Sequence, residues 1–277
     1  MLNPSEFIAH YDTIGERKTK SSALKLFLLA ILAGLFIALG AAATNMAAHG
    51  IESVPVVRMI CGFIFPAGLI MILLTGTELV TGNCLITISI LSKHATLKGM
   101  MRNLGIVYLG NFVGALLLAA ACAYCGQLNY SGGGLAVYSI KLAAGKCALS
   151  FGNALVLGIL CNLLVCAAVM CALCAKDVVG KAVGAFVPIF VFVLCGFEHC
   201  VANMFFVPVG LFALTVPSYA QQAAAIGLDV SGLTWMKFLL NNLLPVTIGN
   251  LIGGCAFAAL IWVTHKQDHK LLSGMTE

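Results

Sequence analysis

Charged side chains are scarce in this sequence of 277 residues. Asp, Glu, Lys and Arg together make up 9% of it, against about 25% in an ordinary soluble domain. Apolar residues make up 61% and the mean hydropathy is +1.04. This composition excludes a soluble enzyme and a disordered chain. The few cations are scattered over short loops, so we also expect no nucleic-acid partner. The sequence predicts a protein that crosses the lipid bilayer several times.

The start of the sequence lacks the pattern of a cleavable signal peptide. Residues 1–22 are polar, and the first apolar run is as long as a membrane span. Six apolar stretches follow, at 24–44, 57–90, 103–125, 149–175, 182–214 and 237–263. We therefore divide the chain into an N-terminal amphipathic helix or tail (1–22), a transmembrane domain (23–264) and a C-terminal tail (265–277). The Asn-Pro-Ser-Glu start at 3–6 favours the helix, which would dock on the bundle or on a neighbouring subunit.

Lysine and arginine are unevenly distributed between the predicted loops. With six spans and the N-terminus inside, the outer segments hold four of the fifteen, namely Arg58, Lys141, Lys146 and Lys237, and the inner segments hold the other eleven. Cytoplasmic loops are enriched in these residues. We therefore predict a multi-pass protein of the cell membrane (inner or plasma) with both termini in the cytoplasm.

The twelve cysteines follow no spacing of a disulfide framework. Two Cys-x-x-Cys pairs, at 122–125 and 171–174, have the spacing of metal ligands. No histidine or carboxylate lies close in sequence to complete either site, so we interpret them as small buried residues on helix faces. We expect no metal and no cofactor.

Two of the apolar stretches are interrupted by polar residues, and the interruptions repeat each other. The segment 76–83 (Gly-Thr-Glu-Leu-Val-Thr-Gly-Asn) aligns with 196–203 (Gly-Phe-Glu-His-Cys-Val-Ala-Asn) at an offset of 120 residues. A second pattern, Gly-Asn-x-x-Gly, occurs at 110–114 and again at 249–253. Three spans per half place the second half in the membrane upside down. The sequence predicts an all-α membrane protein with six transmembrane helices in two inverted three-helix repeats and with helices 2 and 5 broken.

A broken helix in a membrane has specific physical consequences. Its free N–H and C=O groups are tolerated only where protein or a water-filled cavity satisfies them. Each break also creates a half-helix N-terminus, whose partial positive charge favours an anion. Glu78 and Glu198 occupy equivalent positions, and we expect them, with Asn83, to support the loops by accepting hydrogen bonds from loop N–H groups. The alternative is that the two carboxylates form a cation or proton site.

The segment 196–205 (Gly-Phe-Glu-His-Cys-Val-Ala-Asn-Met-Phe) resembles the signature of the formate/nitrite transporter family. The segment 77–83 is similar to the other loop of that family, and 162–166, with Lys146 sixteen residues before it, to its fourth span. The resemblance covers nearly the whole chain. It implies a homopentamer of aquaporin-like protomers, each with its own pore for small monovalent anions such as formate, nitrite and hydrosulfide.

The same resemblance implies roles for individual residues. Two apolar slits would narrow the pore, the outer one formed by Phe65, Val80 and Val165 and the inner one by Leu69, Leu79 and Phe192. His199 would lie between the slits and face Thr81, with Lys146 and Asn203 supporting the histidine and the path to it. Many members carry Phe where this chain has Val80, and the smaller residue shifts the expectation somewhat toward nitrite or hydrosulfide.

These observations predict a membrane channel or transporter for the anions of weak acids, and not an enzyme. Formate or nitrite is the first expected substrate and hydrosulfide the alternative. A bare anion pays a large desolvation cost in an apolar slit, which protonation avoids. His199 has an unperturbed pKa of about 6.5, so we expect it to exchange a proton with the substrate, while Lys146 draws anions to the outer mouth.

Two other classes remain open at this point. An aquaporin-like pore for neutral solutes fits the inverted repeat but predicts paired Asn-Pro-Ala loops, which the sequence lacks. An ion-coupled secondary transporter would use Glu78 and Glu198 as coupling sites.

Overall fold

The computed structural model describes residues 1–273, and the side chains of residues 1–265. All the regular structure in this part of the chain is helical. The α-helices are α1 (Pro4–Lys20), α2 (Ala23–Ala48), α3 (Val54–Ile64), α4 (Pro66–Thr75), α5 (Thr87–Leu91), α6 (Leu97–Tyr124), α7 (Gly134–Cys147), α8 (Phe151–Cys174), α9 (Val178–Leu194), α10 (Cys200–Ala213), α11 (Pro217–Ala225), α12 (Trp235–Lys237) and α13 (Leu244–Ser273). Short 3₁₀ segments at Gly82–Ile86 and Gln127–Gly133 and a π-helical segment at Phe238–Leu243 complete the order.

Six membrane crossings account for most of these elements. Five helical stretches of the described chain are long and apolar enough to span a bilayer: Ala23–Ala48, Val54–Thr75, Leu97–Tyr124, Phe151–Cys174 and Trp235–His265. The sixth crossing is divided between α9 and α10 by the non-helical residues 195–199. Many large apolar side chains on the outer helix faces are exposed, such as Leu109, Leu117 and Leu260, as expected where lipid or another subunit covers the surface. The all-helical membrane fold predicted from the sequence is confirmed.

The N-terminal segment forms a helix that packs against the bundle. α1 begins with a capping box, in which the Asn3 side chain accepts from the Glu6 N–H and the Glu6 carboxylate accepts from the Asn3 N–H. Phe7 and Tyr11 are fully buried on one face of α1. The Tyr11 hydroxyl donates to the Gly82 carbonyl at 3.4 Å. At the other end of the chain, the predicted tail 265–277 continues α13 as far as Ser273, and 274–277 lie outside the described residues.

Glycines set the close approach of the long helices, in the same way in both halves. A Cβ on Gly114 would meet the Ile31 carbonyl oxygen of α2, and a Cβ on Gly249 would meet the Leu155 carbonyl oxygen of α8. The backbones of α2 and α6, and of α8 and α13, therefore touch directly, as small residues permit between membrane helices.

The repeat includes one more helix per half than the sequence predicted. α1 ends at Lys20 and α7 at Cys147, and the side chains of Lys18 and Lys146, 128 residues apart, point to equivalent breaks. α1 contacts the start of α6, whereas α7 follows its end, and the 28 residues of α6 span about 42 Å. We therefore call the two ends of the bundle the α1 side and the α7 side.

Candidate functional site

The side chain of Asn111 forms hydrogen bonds within the first break. α4 ends at Gly76, whose positive φ of 68° reverses the chain. The Val80 N–H then donates to Asn111 Oδ1 at 3.0 Å, and Asn111 Nδ2 donates to the carbonyls of Glu78 and Ala30 at 2.9 and 2.8 Å. One primary amide thus satisfies two backbone groups of the break, the Val80 N–H and the Glu78 carbonyl, and ties them to the Ala30 carbonyl of α2.

The side chain of Asn250 forms the matching hydrogen bonds within the second break. α9 is followed by Gly196, with a φ of 73°. The Cys200 N–H donates to Asn250 Oδ1 at 2.9 Å, and Asn250 Nδ2 donates to the carbonyls of Glu198 and Gly158 at 3.0 and 2.8 Å. The asparagine of the repeated Gly-Asn-x-x-Gly pattern therefore supplies two hydrogen-bond partners in each break, a role that the spacing alone did not reveal.

The two carboxylates have different partners from those expected. Glu78 Oε2 accepts from Lys18 Nζ and Asn83 Nδ2, both at 2.7 Å. Glu198 accepts from Lys146 Nζ at 2.8 Å and from Asn203 Nδ2 at 2.6 Å. The expectation that loop N–H groups bind these carboxylates is wrong, because asparagines already satisfy the loops and a buried carboxylate requires a countercharge.

These contacts also identify functional residues that the sequence reasoning missed. Lys18 is the equivalent of Lys146, and Asn103 is the equivalent of Asn242. Asn103 accepts from Asn83 at 2.8 Å and donates to the Lys18 carbonyl at 3.1 Å. Asn242 accepts from Asn203 at 2.8 Å and donates to the Lys146 carbonyl at 3.1 Å. The signal was present in the sequence as the 128-residue spacing of the two lysines. It lay in the polar N-terminal segment, outside the apolar stretches in which the repeat was sought.

His199 lies between the breaks, with its ring orientation fixed from both edges. The side chain is 3% exposed. The Ala202 N–H donates to His199 Nδ1 at 3.2 Å, so the histidine caps the N-terminus of α10. His199 Nε2 lies 3.0 Å from Thr81 Oγ1, the contact expected from the resemblance. Because Nδ1 is an acceptor, the neutral ring carries its proton on Nε2 and presents it to Thr81.

Phe65 and Phe192 form an aromatic pair beside His199. Their ring centroids are 5.6 Å apart at 89°, an edge-to-face pair, and the Phe192 ring lies 6.1 Å from the imidazole. Both phenylalanines, with His199, line a vestibule of about 1200 Å³ on the α7 side. The two rings are therefore in contact, and the division of the pore into an outer slit with Phe65 and an inner slit with Phe192 stays a prediction.

The remaining predicted pore residues are buried away from this vestibule. They are Leu69, Leu79, Val80 and Val165, each less than 5% exposed. They do not line the vestibule wall, and their membership of the two slits stays a prediction. Asn162 of α8 joins the first break to α13, since its Nδ2 donates to the Thr81 carbonyl at 3.3 Å and to the Asn250 carbonyl at 2.6 Å. Among the residues with described side chains, no group of three or more His, Cys, Asp and Glu could hold a metal ion.

An inverted repeat with two matched helix breaks and a polar pair between them defines a membrane transport protein of aquaporin-like architecture. The model of the family described as "Formate/nitrite transporter" matches residues 5–264. The chain belongs to the formate/nitrite transporter family.

Relatives and solved structures agree with this assignment. The chain is 35% identical to a protein named "Probable formate transporter" from Methanothermobacter thermautotrophicus, over 96% of this chain and 98% of the relative. It is 34% identical to "Formate channel FocA" from Haemophilus influenzae, over 91% and 90%. A solved structure described as "Pentameric formate channel with formate bound" superposes with a TM-score of 0.78 at 32% identity, covering 88% of this chain and 97% of that one.

Proposed function

We propose that this chain is a channel for small monovalent anions of weak acids, with formate as the first substrate, nitrite next and hydrosulfide as the alternative. The names of the two relatives and the formate bound in the similar solved structure favour formate. The contact between Thr81 and His199 beside the Phe65–Phe192 pair carries the proposal. We take the Phe65–Phe192 pair as the narrow part of the passage, where water leaves the substrate, and the His199–Thr81 contact offers two exchangeable protons beside it.

The apolar constriction explains why these protons matter. An anion that enters loses its hydration shell, which costs several kcal/mol in an apolar environment. In the absence of substrate the Nε2–H of His199 donates to Thr81 Oγ1, and the hydroxyl proton of Thr81 is left for another acceptor. An anion that inserts between them receives hydrogen bonds from both, and these charge-assisted bonds replace part of the lost hydration.

Proton exchange requires one further change in the ring. The neutral imidazole has room for a second proton only on Nδ1, which accepts the Ala202 N–H. The ring therefore releases this N–H when it becomes imidazolium. The imidazolium then gives its Nε2 proton to the anion, which leaves as the neutral acid, and the ring keeps its remaining proton on Nδ1. Nε2 regains a proton and Nδ1 loses one to water before the ring accepts the Ala202 N–H again. Water on the opposite side of the membrane takes or supplies the balancing proton.

Asn203 offers a place for the acid that forms. Its Nδ2 donates to Glu198 and Asn242, but its Oδ1 is buried and has no partner among the described side chains. The O–H of a neutral acid is a donor that this oxygen lacks. The equivalent oxygen of Asn83 accepts from Lys18 Nζ at 2.9 Å. Of these two asparagines, therefore, only Asn203 has an amide oxygen without a partner among the described residues.

The surroundings of the channel follow from the family and from the charges. The exposed apolar helix faces contact lipid and neighbouring copies in a homopentamer, the assembly of the similar solved formate channel. The α1 side faces the cytoplasm, because it holds most of the lysines and arginines. The carboxylates of Glu78 and Glu198 are already paired with lysines, which weighs against their use as coupling sites of a secondary transporter.

Flux measurements test the proposal. The purified protein is reconstituted into proteoliposomes, and formate uptake is followed with nitrite, hydrosulfide, chloride and glycerol as competitors. We expect formate flux well above that of empty liposomes, competition by nitrite and hydrosulfide, and none by glycerol. Absence of formate, nitrite and hydrosulfide flux from a correctly inserted protein would overturn the proposal, and glycerol flux alone would favour the neutral-solute pore.

A further inference from the structure

Lys146 is in an ion pair, so it is not the free cation that the sequence predicted at the pore mouth. Lys146 was expected to draw anions to the pore, but its ammonium lies 2.8 Å from the Glu198 carboxylate. The charges of this pair largely cancel at a distance. The other charged groups that line the vestibule are Arg58, Lys141 and Glu52. None of these three side chains forms a hydrogen bond or ion pair with a residue whose side chain is described.

Arg58 is held so that the hydrogen-bonding edge of its guanidinium is free. A Cβ on Gly196 would lie 3.0 Å from Nη1, 3.1 Å from Cζ and 3.1 Å from Nη2 of Arg58. Three nearly equal distances mean that the planar group packs face-on over the glycine. Its N–H groups lie in that plane and point away from the contact. A guanidinium presents such N–H groups as a rigid fork that matches two oxygens of one anion.

The position of Arg58 connects it to the constriction. Arg58, Cys61 and Phe65 occur at i, i+3 and i+7 on one helix face, and all three line the vestibule. Seven residues correspond to about 10 Å along the helix. Tyr138 and Lys141, three residues apart on α7, line the same vestibule. An anion at Arg58 is therefore one short step from the Phe65–Phe192 pair.

Arg58 is not one of the residues that the two halves of the chain repeat. At the 120-residue offset of the two breaks its equivalent is Val178, and at the 128-residue offset of the two lysines the equivalent of Lys141 is Thr13. The paired lysines, glutamates and asparagines all have equivalents. The two unpaired cations of the vestibule have none, so the repeat does not explain them.

We propose that Arg58 is an anion-binding site in the vestibule that selects planar anions with two oxygens, such as formate and nitrite, over hydrosulfide. Lys141 adds positive charge near this site, and the carboxylate of Glu52 offsets part of that charge. The inference rests on the proposed channel function. It assigns the first binding step of the anion to Arg58, which has no equivalent in the other half, and makes this residue a determinant of substrate specificity.

Concentration-dependent flux in proteoliposomes tests the assignment. Arg58→Gln removes both the positive charge and the forked N–H groups of the guanidinium, whereas Arg58→Lys keeps the charge and removes only the forked N–H groups. The control Lys237→Gln removes a cation that does not line the vestibule. We expect Arg58→Gln to raise the half-saturating concentration of formate and nitrite about tenfold, with an unchanged maximal rate. Arg58→Lys should recover wild-type behaviour for hydrosulfide but remain about threefold weaker for formate. Lys237→Gln should match the wild type.

The outcomes separate this inference from the proposed function. Wild-type protein that conducts none of the three anions refutes the channel proposal itself. Wild-type flux with an unchanged half-saturating concentration in Arg58→Gln refutes the role of Arg58. Equal increases in Arg58→Gln and Lys237→Gln would show a general surface field rather than a site. An Arg58→Lys variant that treats formate and hydrosulfide alike refutes the selection of planar anions.

Discussion

The two halves of the chain hold their breaks with the same side chains but present different groups to the passage between them. Asn111 and Asn250 satisfy the two loops with matching hydrogen bonds. At the same offset as the breaks, however, the equivalent of His199 is Leu79. The equivalent of Thr81 is Val201. The repeated residues make a broken helix stable in a membrane, and the unrepeated ones supply the chemistry.

The largest expected effect concerns the two repeated asparagines. Asn111→Leu and Asn250→Leu each leave two buried backbone groups of a break without their asparagine partner, at about 1–3 kcal/mol per group. We expect both variants to lose most of the folded protein, and to a similar degree. Thermal unfolding in detergent measures this, with the exposed Asn153→Leu on α8 as the control. A stable Asn111→Leu beside an unstable Asn250→Leu would contradict the equivalence of the two breaks.

The ion pairs provide the next test of the comparison. Lys18→Met and Lys146→Met each strand a buried carboxylate, for which we expect a loss of about 3–5 kcal/mol. The second substitutions Glu78→Gln and Glu198→Gln should restore much of that stability, because an amide needs no countercharge. The check is a double-mutant cycle on the melting temperature for each pair. If Lys146→Met slows flux but leaves stability unchanged, Lys146 is a free anion collector and the structural interpretation of the pair is wrong.

The sequence predicted the breaks well because their signal is local. Gly76 and Gly196 reverse the chain, and the constant spacing to the following glutamates and asparagines made the repeat visible. The partners of Glu78 and Glu198 were not predictable in this way. Lys18 lies 60 residues before Glu78 and Lys146 lies 52 before Glu198, so only the folded bundle brings them together.

The pore lining shows a different kind of limit. Resemblance indicated which residues lie near the pore, but membership of one constriction depends on helix rotation and depth. Phe192 meets Phe65 because α9 packs against α3 and α4. In the repeated pattern at 110–114, Gly114 lets α6 pack closely against α2. The hydrogen bonds of Asn111 depend on the folded position of the loop at 78–80, which the spacing of residues in the sequence does not predict.

The smallest expected effect concerns a pair on the surface of α1, which has no equivalent on α7. The hydrogen bond and charge of Lys20 lower the pKa of Glu16 below its ordinary value. A carboxyl whose pKa is lower in the folded state stabilises that state above its unfolded pKa. The contribution is lost as pH falls through the folded pKa. Because Glu16 is exposed, solvent screens the pair, and we expect Glu16→Gln to melt within experimental error of the wild type at pH 7.

The pH dependence of melting checks this last expectation. Any small difference between Glu16→Gln and the wild type at neutral pH should vanish in acid, where both side chains are uncharged. A difference that grows as the pH falls would contradict the sign of the pKa shift. A loss of several degrees at pH 7 would show that the pair contributes to α1 docking.

The most direct test of the account is formate flux against pH for His199→Asn. An asparagine at this position still accepts the Ala202 N–H and caps α10, so the break keeps its support, but the Nε2–H beside Thr81 is gone. We predict that the variant assembles and melts like the wild type, while its flux falls on the order of a hundredfold and loses its pH dependence. A His199→Asn channel with the flux and pH profile of the wild type would contradict the claim that this imidazole exchanges a proton with the substrate.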